Sequence, residues 1–292
     1  MRLWRKKIKI CLVTITSPKF LPGTLVMLYS FFKYNPWFEG DILIYAYELS
    51  EDDRALLQRF PNVRFVDPFP AVVDRVEAIL KVRPNLAYKK MVFYSLNLFN
   101  LEGYDKYFYV DSDAFFHGSI KELKQLGHGL MCCKDFAAYK GFAKDGDTFE
   151  LVRETGKGGN LWFRTFNAGI FFLDKKLVNP SVYQDLLDLL DPTLYEGLGR
   201  PTTDQFLLNH YFRDRYHILP GIYNYRVNIA GHIKAQEGYA FEQAKIFHFP
   251  GPKNPWMAEQ AIPMVMKNNI YWRAFQLWNQ LYMELLSKWS KN

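Results

Sequence analysis

The sequence KYFYVDSD at residues 106–113 decides the fold expected for this chain. Residues 107–110 form an apolar run with the length and composition of a buried strand, and it passes directly into Asp111 and Asp113. Ligands of open α/β sheets bind outside the carboxyl ends of strands. Strand residues two apart face the same side, so both carboxylates could hold one divalent cation. On its own, Asp-x-Asp is also typical of surface turns, where aspartate only satisfies backbone donors.

The rest of the chain alternates between strand and helix patterns. Helices are predicted over residues 24–29, over the short charged stretch 51–59, and over residues 86–98, where apolar residues recur at helical spacing. Strands are predicted over residues 8–15, 41–47, 63–66, 129–133, 167–173 and 245–249. This alternation predicts an α/β fold with a mixed, mainly parallel sheet flanked by helices.

Three further stretches place polar residues beside apolar runs. These are FNAGIFF (residues 166–172), TTDQFLLN (202–209) and HFPGPKNPW (248–256). Each has a plain structural explanation. FNAGIFF fits a tight strand start, and the histidine of HFPGPKNPW fits a packed side chain. TTDQFLLN fits a helix start capped by Thr202 or Thr203, where Asp204 complements the helix dipole. The Gly-rich segment 136–165 and the segment 221–240 are predicted to be loops that could contact an acceptor.

The length of 292 residues suits one catalytic domain, residues 1–256, followed by a C-terminal amphipathic helical extension, residues 257–292. Aromatic and apolar side chains of this extension recur every three or four residues and share one helical face: Tyr271, Phe275, Trp278, Tyr282, Leu285 and Trp289. We expect the first half of this helix to pack on the catalytic domain. Its end could instead lie in a membrane interface.

The net charge of +7 is concentrated at the two ends of the chain. Residues 1–9 carry five basic groups and no acid, and residues 265–292 carry four basic groups and one acid. A near-neutral body argues against a nucleic-acid channel, whereas the basic ends allow attraction to an anionic membrane surface or are simply solvated. The three cysteines have neither disulfide nor zinc spacing. We therefore expect a cytoplasmic protein, with peripheral contact to the inner face of the membrane left open.

Taken in order, VTITSPKF (residues 13–20), YKK (88–90), YVDSD (109–113) and the three stretches above are similar to the motifs of glycosyltransferase family 8. This family contains glycogenin-like and bacterial lipopolysaccharide galactosyltransferase-like enzymes, and the resemblance covers residues 8–256. It implies a GT-A fold, the Rossmann-like fold of nucleotide-diphospho-sugar transferases. One departure is Asn254, which precedes Pro255-Trp256 where the family often has lysine.

The resemblance also implies roles for individual residues. Asp111, Asp113 and His248 would bind Mn²⁺, with Mg²⁺ as the alternative ion. Asn167 would hydrogen-bond the donor sugar, and Asp204 and Gln205 would lie near its anomeric carbon. The nucleotide and diphosphate of the donor would contact Thr14, Thr16, Phe20, Lys90, Ser112, Gly251 and Lys253.

The function implied is that of a metal-dependent, retaining hexosyltransferase. It would move glucose or galactose from a UDP-sugar to a glycan or lipid-linked glycan. A sugar-nucleotide nucleotidyltransferase is the first alternative, but such enzymes open with a Gly-rich basic loop that residues 16–20 do not form. The second alternative is a non-catalytic protein that binds a nucleotide or glycan and keeps the fold without turnover.

Overall fold

The computed structural model describes residues 8–125, 127, 129–140, 165–196, 198, 203–213 and 215–291. Within them the strands are β1 (Ile10–Thr16), β2 (Asp41–Ala46), β3 (Val63–Val66), β4 (Lys106–Val110), β5 (Ala114–Phe116), β6 (Leu130–Lys134), β7 (Phe166–Asp174), β8 (Tyr216–Ile218), β9 (Tyr225–Arg226) and β10 (Ile246–His248). The helices are α1 (Leu21–Tyr34), α2 (Glu51–Gln58), α3 (Pro70–Val82), α4 (Phe136–Lys140), α5 (Pro180–Leu189), α6 (Pro192–Glu196), α7 (Asp204–Phe212), α8 (Ala230–Glu237), α9 (Ala258–Lys267) and α10 (Asn269–Trp289).

Seven of the described strands form one sheet in the order β3-β2-β1-β4-β7-β6-β8. Strands β1 to β4 run parallel, whereas β7 is antiparallel to both β4 and β6. The strand order reverses at β1, which lies between β2 and β4. Ligands of open α/β sheets bind at such a switch point. The predicted mixed, mainly parallel α/β sheet is confirmed.

A smaller sheet contains β5, β10 and β9 in that order. Strand β10 is antiparallel to β5 and parallel to β9. This pairing places His248 opposite Ala114, the residue that directly follows Asp113. The second sheet therefore carries a residue from near the end of the chain to the carboxyl edge of the first.

Alternating side chains of the central strands fill two layers. On β1, Cys11, Val13 and Ile15 pack with residues of α3, α5 and α7, whereas Ile10 and Leu12 pack with residues of α1 and α2. All seven residues of β1 are buried. This burial on both faces is typical of a central strand covered by helices on both sides.

Two predicted helices differ from the observed ones. The helix expected over residues 86–98 is a run of 3-10 turns, Pro84–Asn100. Residues 93–99 are all buried, whereas Tyr88 is exposed, so exposure changes along the segment rather than between two faces, and the amphipathic pattern behind the helix prediction does not apply. The helix expected at residue 24 begins earlier, at Leu21, because proline is tolerated in the first turn.

The predicted C-terminal helix is confirmed as α10. The Asn268 side chain caps it by accepting a hydrogen bond from the backbone nitrogen of Tyr271 at 3.0 Å. Tyr271 and Trp278 are buried on the predicted face, and Trp278 packs 5.7 Å from the ring of Trp256. At the other end, Trp289 contacts Phe60. The boundary at residue 256 stays a prediction.

The two predicted loops have different outcomes. Residues 141–164 of the first lie outside the described part of the chain, and residues 136–140 form α4. The second, residues 221–240, is wrong as a loop, because it contains a 3-10 turn, β9 and α8. None of the described helices combines the length and apolar character needed to cross a membrane.

Candidate active site

The three predicted metal ligands converge at the carboxyl edge of the sheet. Asp111 directly follows β4, and Asp113 lies two residues later in the turn that leads into β5. His248 is the last residue of β10. One ligand atom of each residue lies within 4.8 Å of those of the other two. Residues from distant parts of the sequence are thus close enough to share one ion.

The backbone of β7 passes against these ligands at Gly169. A Cβ atom there would lie 2.5 Å from Oδ2 of Asp111 and 2.6 Å from Cε1 of His248. The backbone nitrogen of Asp111 also donates to the Gly169 carbonyl at 2.8 Å. The missing side chain of Gly169 therefore lets the backbone of β7 pass directly against two of the predicted metal ligands.

The donor set of the three side chains fits a divalent cation. Nε2 of His248 lies 3.0 Å from Oδ1 of Asp113 and 3.9 Å from Oδ2 of Asp111. Despite this proximity, Oδ1 of Asp113 is buried and has no hydrogen-bond partner. A buried carboxylate oxygen without a partner is costly unless a cation satisfies it. Two carboxylates and one imidazole form a mixed set that Mn²⁺ and similar ions accept.

The acids of the site are close enough to perturb one another. Burial and the charges of Asp113 and Asp204 raise the pKa of Asp111 well above its ordinary value. The Tyr109 hydroxyl opposes this shift by donating a hydrogen bond to Oδ1 of Asp111 at 2.8 Å. Clustered acids with raised pKa values mark a functional site, and a bound cation would favour their charged forms.

Asp204 opens α7 and is only 3% exposed. Its Oδ2 accepts a hydrogen bond from the Ser95 hydroxyl at 2.7 Å, and its Oδ1 accepts one from the backbone nitrogen of Gln205 at 2.8 Å. Burial raises the pKa of Asp204 to about 6 even though these hydrogen bonds favour its charged form. The predicted capping hydrogen bond from Thr203 is absent, and Thr202 lies outside the described residues.

The two amides predicted to act on the donor sugar contact each other. Nδ2 of Asn167 donates to Oε1 of Gln205 at 2.9 Å. Oδ1 of Asn167 accepts from Nδ2 of Asn224 at 2.8 Å. Oδ1 of Asn224 lies 2.9 Å from Nδ1 of His248. The predicted sugar-binding amides are therefore connected to the predicted metal ligands.

The predicted nucleotide contacts on β1 and in the DSD turn lie within the protein interior. Thr14 and Thr16 are fully buried. The Thr14 hydroxyl lies 3.4 Å from that of Ser112, and the Thr16 hydroxyl lies 2.6 Å from that of Thr24. Ser112 also donates to the carbonyl of Ile15. These contacts connect β1 to its neighbours, and direct nucleotide binding by Thr14, Thr16 and Ser112 stays a prediction.

The loop after His248 is held against the start of α1. The Trp256 indole nitrogen donates to the Lys19 carbonyl at 2.8 Å, and its ring packs edge-on to Phe20 at 6.0 Å. Gly23 permits this contact, because a Cβ there would fall 2.3 Å from the Trp256 ring. Gly251 has a φ of +97°, a region that favours glycine.

The two lysines predicted to bind phosphate have other partners. Nζ of Lys253 lies 3.2 Å from the sulfur of Met264 on α9. Lys90 forms an ion pair with Glu77 of α3. The structure therefore brings together the metal ligands, the two amides and Asp204, but holds both ammonium groups on other side chains.

Several site residues were not found by sequence reasoning. Asp135 accepts a hydrogen bond from Nε2 of Gln205 at 3.3 Å. Arg226 is the β9 register partner of His248, and its Nε and Nη1 are buried without partners. Asn224 is the third residue missed. Asp135 directly follows β6, Asn224 lies in the 3-10 turn before β9 and Arg226 lies within β9, and no spacing relative to the DSD turn marks any of them.

The switch-point sheet, with its carboxylate pair and histidine, defines a GT-A nucleotide-sugar transferase fold. Among solved structures, the chain is similar to the galactosyltransferase LgtC in complex with donor and acceptor sugar analogues. The TM-score is 0.70 at 16% identity, over 94% of this chain and 95% of that one. The model of glycosyl transferase family 8 matches residues 11–260. The chain belongs to this family.

Two curated relatives are similar to this chain in sequence. Glycogenin of Neurospora crassa is 25% identical over 247 residues, which cover 83% of this chain and 30% of that protein. Galactinol synthase 2 of Solanum lycopersicum is 28% identical over 184 residues, which cover 59% of this chain and 51% of that protein. The chain therefore matches about half or less of the length of these relatives.

Proposed function

We propose that this protein is a metal-dependent, retaining glycosyltransferase. It moves a hexose, glucose or galactose, from a UDP-sugar to a glycan or lipid-linked glycan acceptor. The observation that carries this proposal is the convergence of Asp111, Asp113 and His248 within 4.8 Å at the switch point of a family 8 sheet. The names of the curated relatives and of LgtC support hexosyl transfer.

Mn²⁺ is the proposed ion, with Mg²⁺ as the alternative. When bound, the cation supplies positive charge that stabilises the departing diphosphate. Asp111 and Asp113 hold it through carboxylate oxygens and His248 through Nε2. The orphaned Oδ1 of Asp113 and the absent Cβ of Gly169 support this assignment.

Donor binding is proposed to use residues around the metal ligands. Phe20 and Trp256 offer aromatic surface beside the end of β1, where a uracil base could stack, and Gly251 lets the backbone of its loop approach phosphate. For Lys90 to reach the diphosphate it must leave Glu77. Lys253 must leave Met264 to do the same.

The contacts of Asp204 favour an electrostatic role over nucleophilic attack. Both of its oxygens accept hydrogen bonds, and the side chain is 3% exposed. A nucleophile that forms a glycosyl intermediate needs free access to the anomeric carbon. We propose that Asp204 stabilises positive charge at that carbon while Asn167 and Gln205 position the sugar. The acceptor then attacks on the face that the UDP leaves.

A panel of UDP-sugars tests this function, with each sugar incubated with Mn²⁺ or with a chelator and released UDP measured. Metal-dependent release from one sugar would establish the transferase and identify the donor. Anomeric proton signals of the product would report retention. If no UDP-sugar binds or reacts, the alternatives are another nucleotide or a non-catalytic family member.

We further propose peripheral contact with an anionic membrane surface. On α10, Trp272, Met283 and Leu286 are exposed and lie on one side at helical spacing. Lys288 and Lys291 follow near its end. Sedimentation with vesicles of phosphatidylcholine, with and without phosphatidylglycerol, tests this contact. Binding that requires the anionic lipid and weakens with salt supports this contact. Recovery of the same amount of protein in the supernatant with both kinds of vesicle contradicts it.

A further inference from the structure

A row of hydrogen-bonded side chains runs from Asp135 to His248. Nε2 of Gln205 donates to Oδ2 of Asp135 at 3.3 Å, and Oε1 of Gln205 accepts from Asn167 at 2.9 Å. Oδ1 of Asn167 accepts from Asn224 at 2.8 Å. The last contact joins Oδ1 of Asn224 to Nδ1 of His248 at 2.9 Å. Three amides thus separate a carboxylate from an imidazole.

The carboxylate end sets the direction of the row. An ionised carboxylate only accepts hydrogen bonds, and Oδ1 of Asp135 already accepts from the backbone of Ala138 at 2.8 Å and the Thr165 hydroxyl at 2.6 Å. Gln205 must therefore turn its NH₂ group toward Asp135. Its carbonyl then faces Asn167, and the same reasoning applies to the next amide.

Backbone donors fix the same orientation independently. The N–H of Ala168 donates to Oε1 of Gln205 at 3.3 Å, and the N–H of Gly169 donates to Oδ1 of Asn167 at 3.2 Å. A backbone N–H is always a donor, so the atoms that it faces must be amide oxygens. The orientations of the Gln205 and Asn167 amides are thereby assigned without reference to His248.

This direction determines the tautomer of the histidine. Because Asn224 donates through Nδ2 to Asn167, its oxygen faces Nδ1 of His248, which must carry the proton. Nε2 then presents a lone pair toward Oδ1 of Asp113. A cation bound there would meet this lone pair and Oδ1 of Asp113, which lies 3.0 Å from Nε2 and has no hydrogen-bond partner.

We infer that Asp135, Gln205, Asn167 and Asn224 form a hydrogen-bond relay that holds His248 in its cation-binding tautomer. Asn224 is the positioning residue of this relay, since it is the member of the relay whose side chain contacts the imidazole. The inference rests on the proposed metal site. It adds that the amides on the sugar side of the site also orient a ligand on the metal side.

Two measurements on Asn224 variants test the relay without donor or turnover. The first is the Mn²⁺ dissociation constant, followed by electron paramagnetic resonance of the free ion. Loss of such an outer partner weakens metal binding by about 10–100-fold, which we expect for Asn224→Ala. Asn224→Asp retains an acceptor oxygen for Nδ1 and should recover most of the affinity. The second is nitrogen NMR of histidine-labelled, metal-free protein, which should show Nδ1–H at His248 in the native chain and a tautomer mixture in Asn224→Ala.

The matched control is Asn35→Ala. Asn35 is fully buried, and its side chain makes four hydrogen bonds: it donates to the Phe31 carbonyl at 3.1 Å and accepts from Trp37, Ser119 and the backbone of Ile120. The Asn35→Ala change should lower the stability of the protein and leave the Mn²⁺ dissociation constant and the His248 tautomer unchanged. An Asn224→Ala variant with native Mn²⁺ affinity, or an Nε2–H tautomer at His248 in the native chain, would overturn the relay. If even the native chain binds no Mn²⁺, the metal proposal fails while the NMR result still judges the relay.

Discussion

A Cβ atom on Gly169 would lie 2.5 Å from Oδ2 of Asp111, so the backbone of β7 forms one wall of the proposed metal site. Strand β7 is the antiparallel neighbour of β4, and this pairing fixes the distance between the two residues. The site consequently depends on the register of two strands as well as on its three ligands.

Gly169→Ala should remove the proposed metal site while the fold survives. The added methyl group would displace the carboxylate of Asp111 or the ring of His248. We expect at least a 100-fold loss of Mn²⁺ affinity and of UDP release, measured by titration and by the donor assay. Gly231→Ala is the control, because a Cβ there meets no atom within 4 Å. Native Mn²⁺ affinity in Gly169→Ala would contradict the assignment of the ligands.

Asp111→Asn should abolish turnover and stabilise the metal-free protein. Burial, and after it repulsion by the charges of Asp113 and Asp204, raises the pKa of Asp111. Loss of one charge removes this repulsion but also removes a ligand. We expect a rise in Tm of a few degrees with chelator present and loss of the stabilisation that Mn²⁺ gives the native chain. Asp74→Asn, a change at an exposed acid, should alter neither quantity, and a fully active Asp111→Asn enzyme would refute the metal role.

Asp204 should make the metal-free protein less stable as pH rises. Its folded pKa of about 6 lies above the ordinary 3.8, so the folded state binds more protons between these values and stability falls as pH increases through them. Between pH 4.5 and 7 the free energy of unfolding of the native chain should fall by about 2 kcal/mol relative to that of Asp204→Asn. Urea unfolding of both proteins with chelator present measures this difference. Parallel pH curves for the two proteins would show that Asp204 has no raised pKa.

Glu77→Gln should lower the KM for the UDP-sugar. Lys90 pairs with Glu77 and must leave it to bind the diphosphate, so weakening that pair makes the ammonium available. We expect a several-fold decrease in KM with little change in kcat, and an increase in KM for Lys90→Met. Glu51→Gln is the control, because Glu51 is highly exposed and pairs only at 4.0 Å with Arg54. An unchanged KM in both Glu77→Gln and Lys90→Met would remove Lys90 from the donor site.

Much of the fold could be predicted from the sequence because a strand is recognisable from residues that are neighbours in the chain. The predicted strands at 129–133, 167–173 and 245–249 are β6, β7 and β10, with each end shifted by one residue. The segment Pro84–Asn100 was mispredicted as a helix because the same apolar spacing is compatible with a segment whose second half, residues 93–99, is buried on all sides. Helical periodicity reports which residues avoid water, and it does not report which hydrogen-bond pattern the backbone adopts.

The candidate site divides in the same way. Asp111 and Asp113 were found because they directly follow an apolar strand, and the resemblance to the family motifs added His248. Asp135 also comes just after a predicted strand, residues 129–133, but no motif marks it, and Asn224 follows no predicted strand. Their importance comes only from hydrogen bonds to Gln205, Asn167 and His248, which lie far away in the chain.

By itself, the sequence determined the α/β class, the strand that ends in two carboxylates and the family 8 motif order. Tertiary structure alone decided that Gly169 must lack a side chain and that three amides share one direction. The physical reason is the distance along the chain between the residues that determine each feature. Strand and helix patterns arise from neighbours in the chain, whereas hydrogen-bond direction and steric clearance arise from atoms a few ångströms apart that the chain brings together only when it folds.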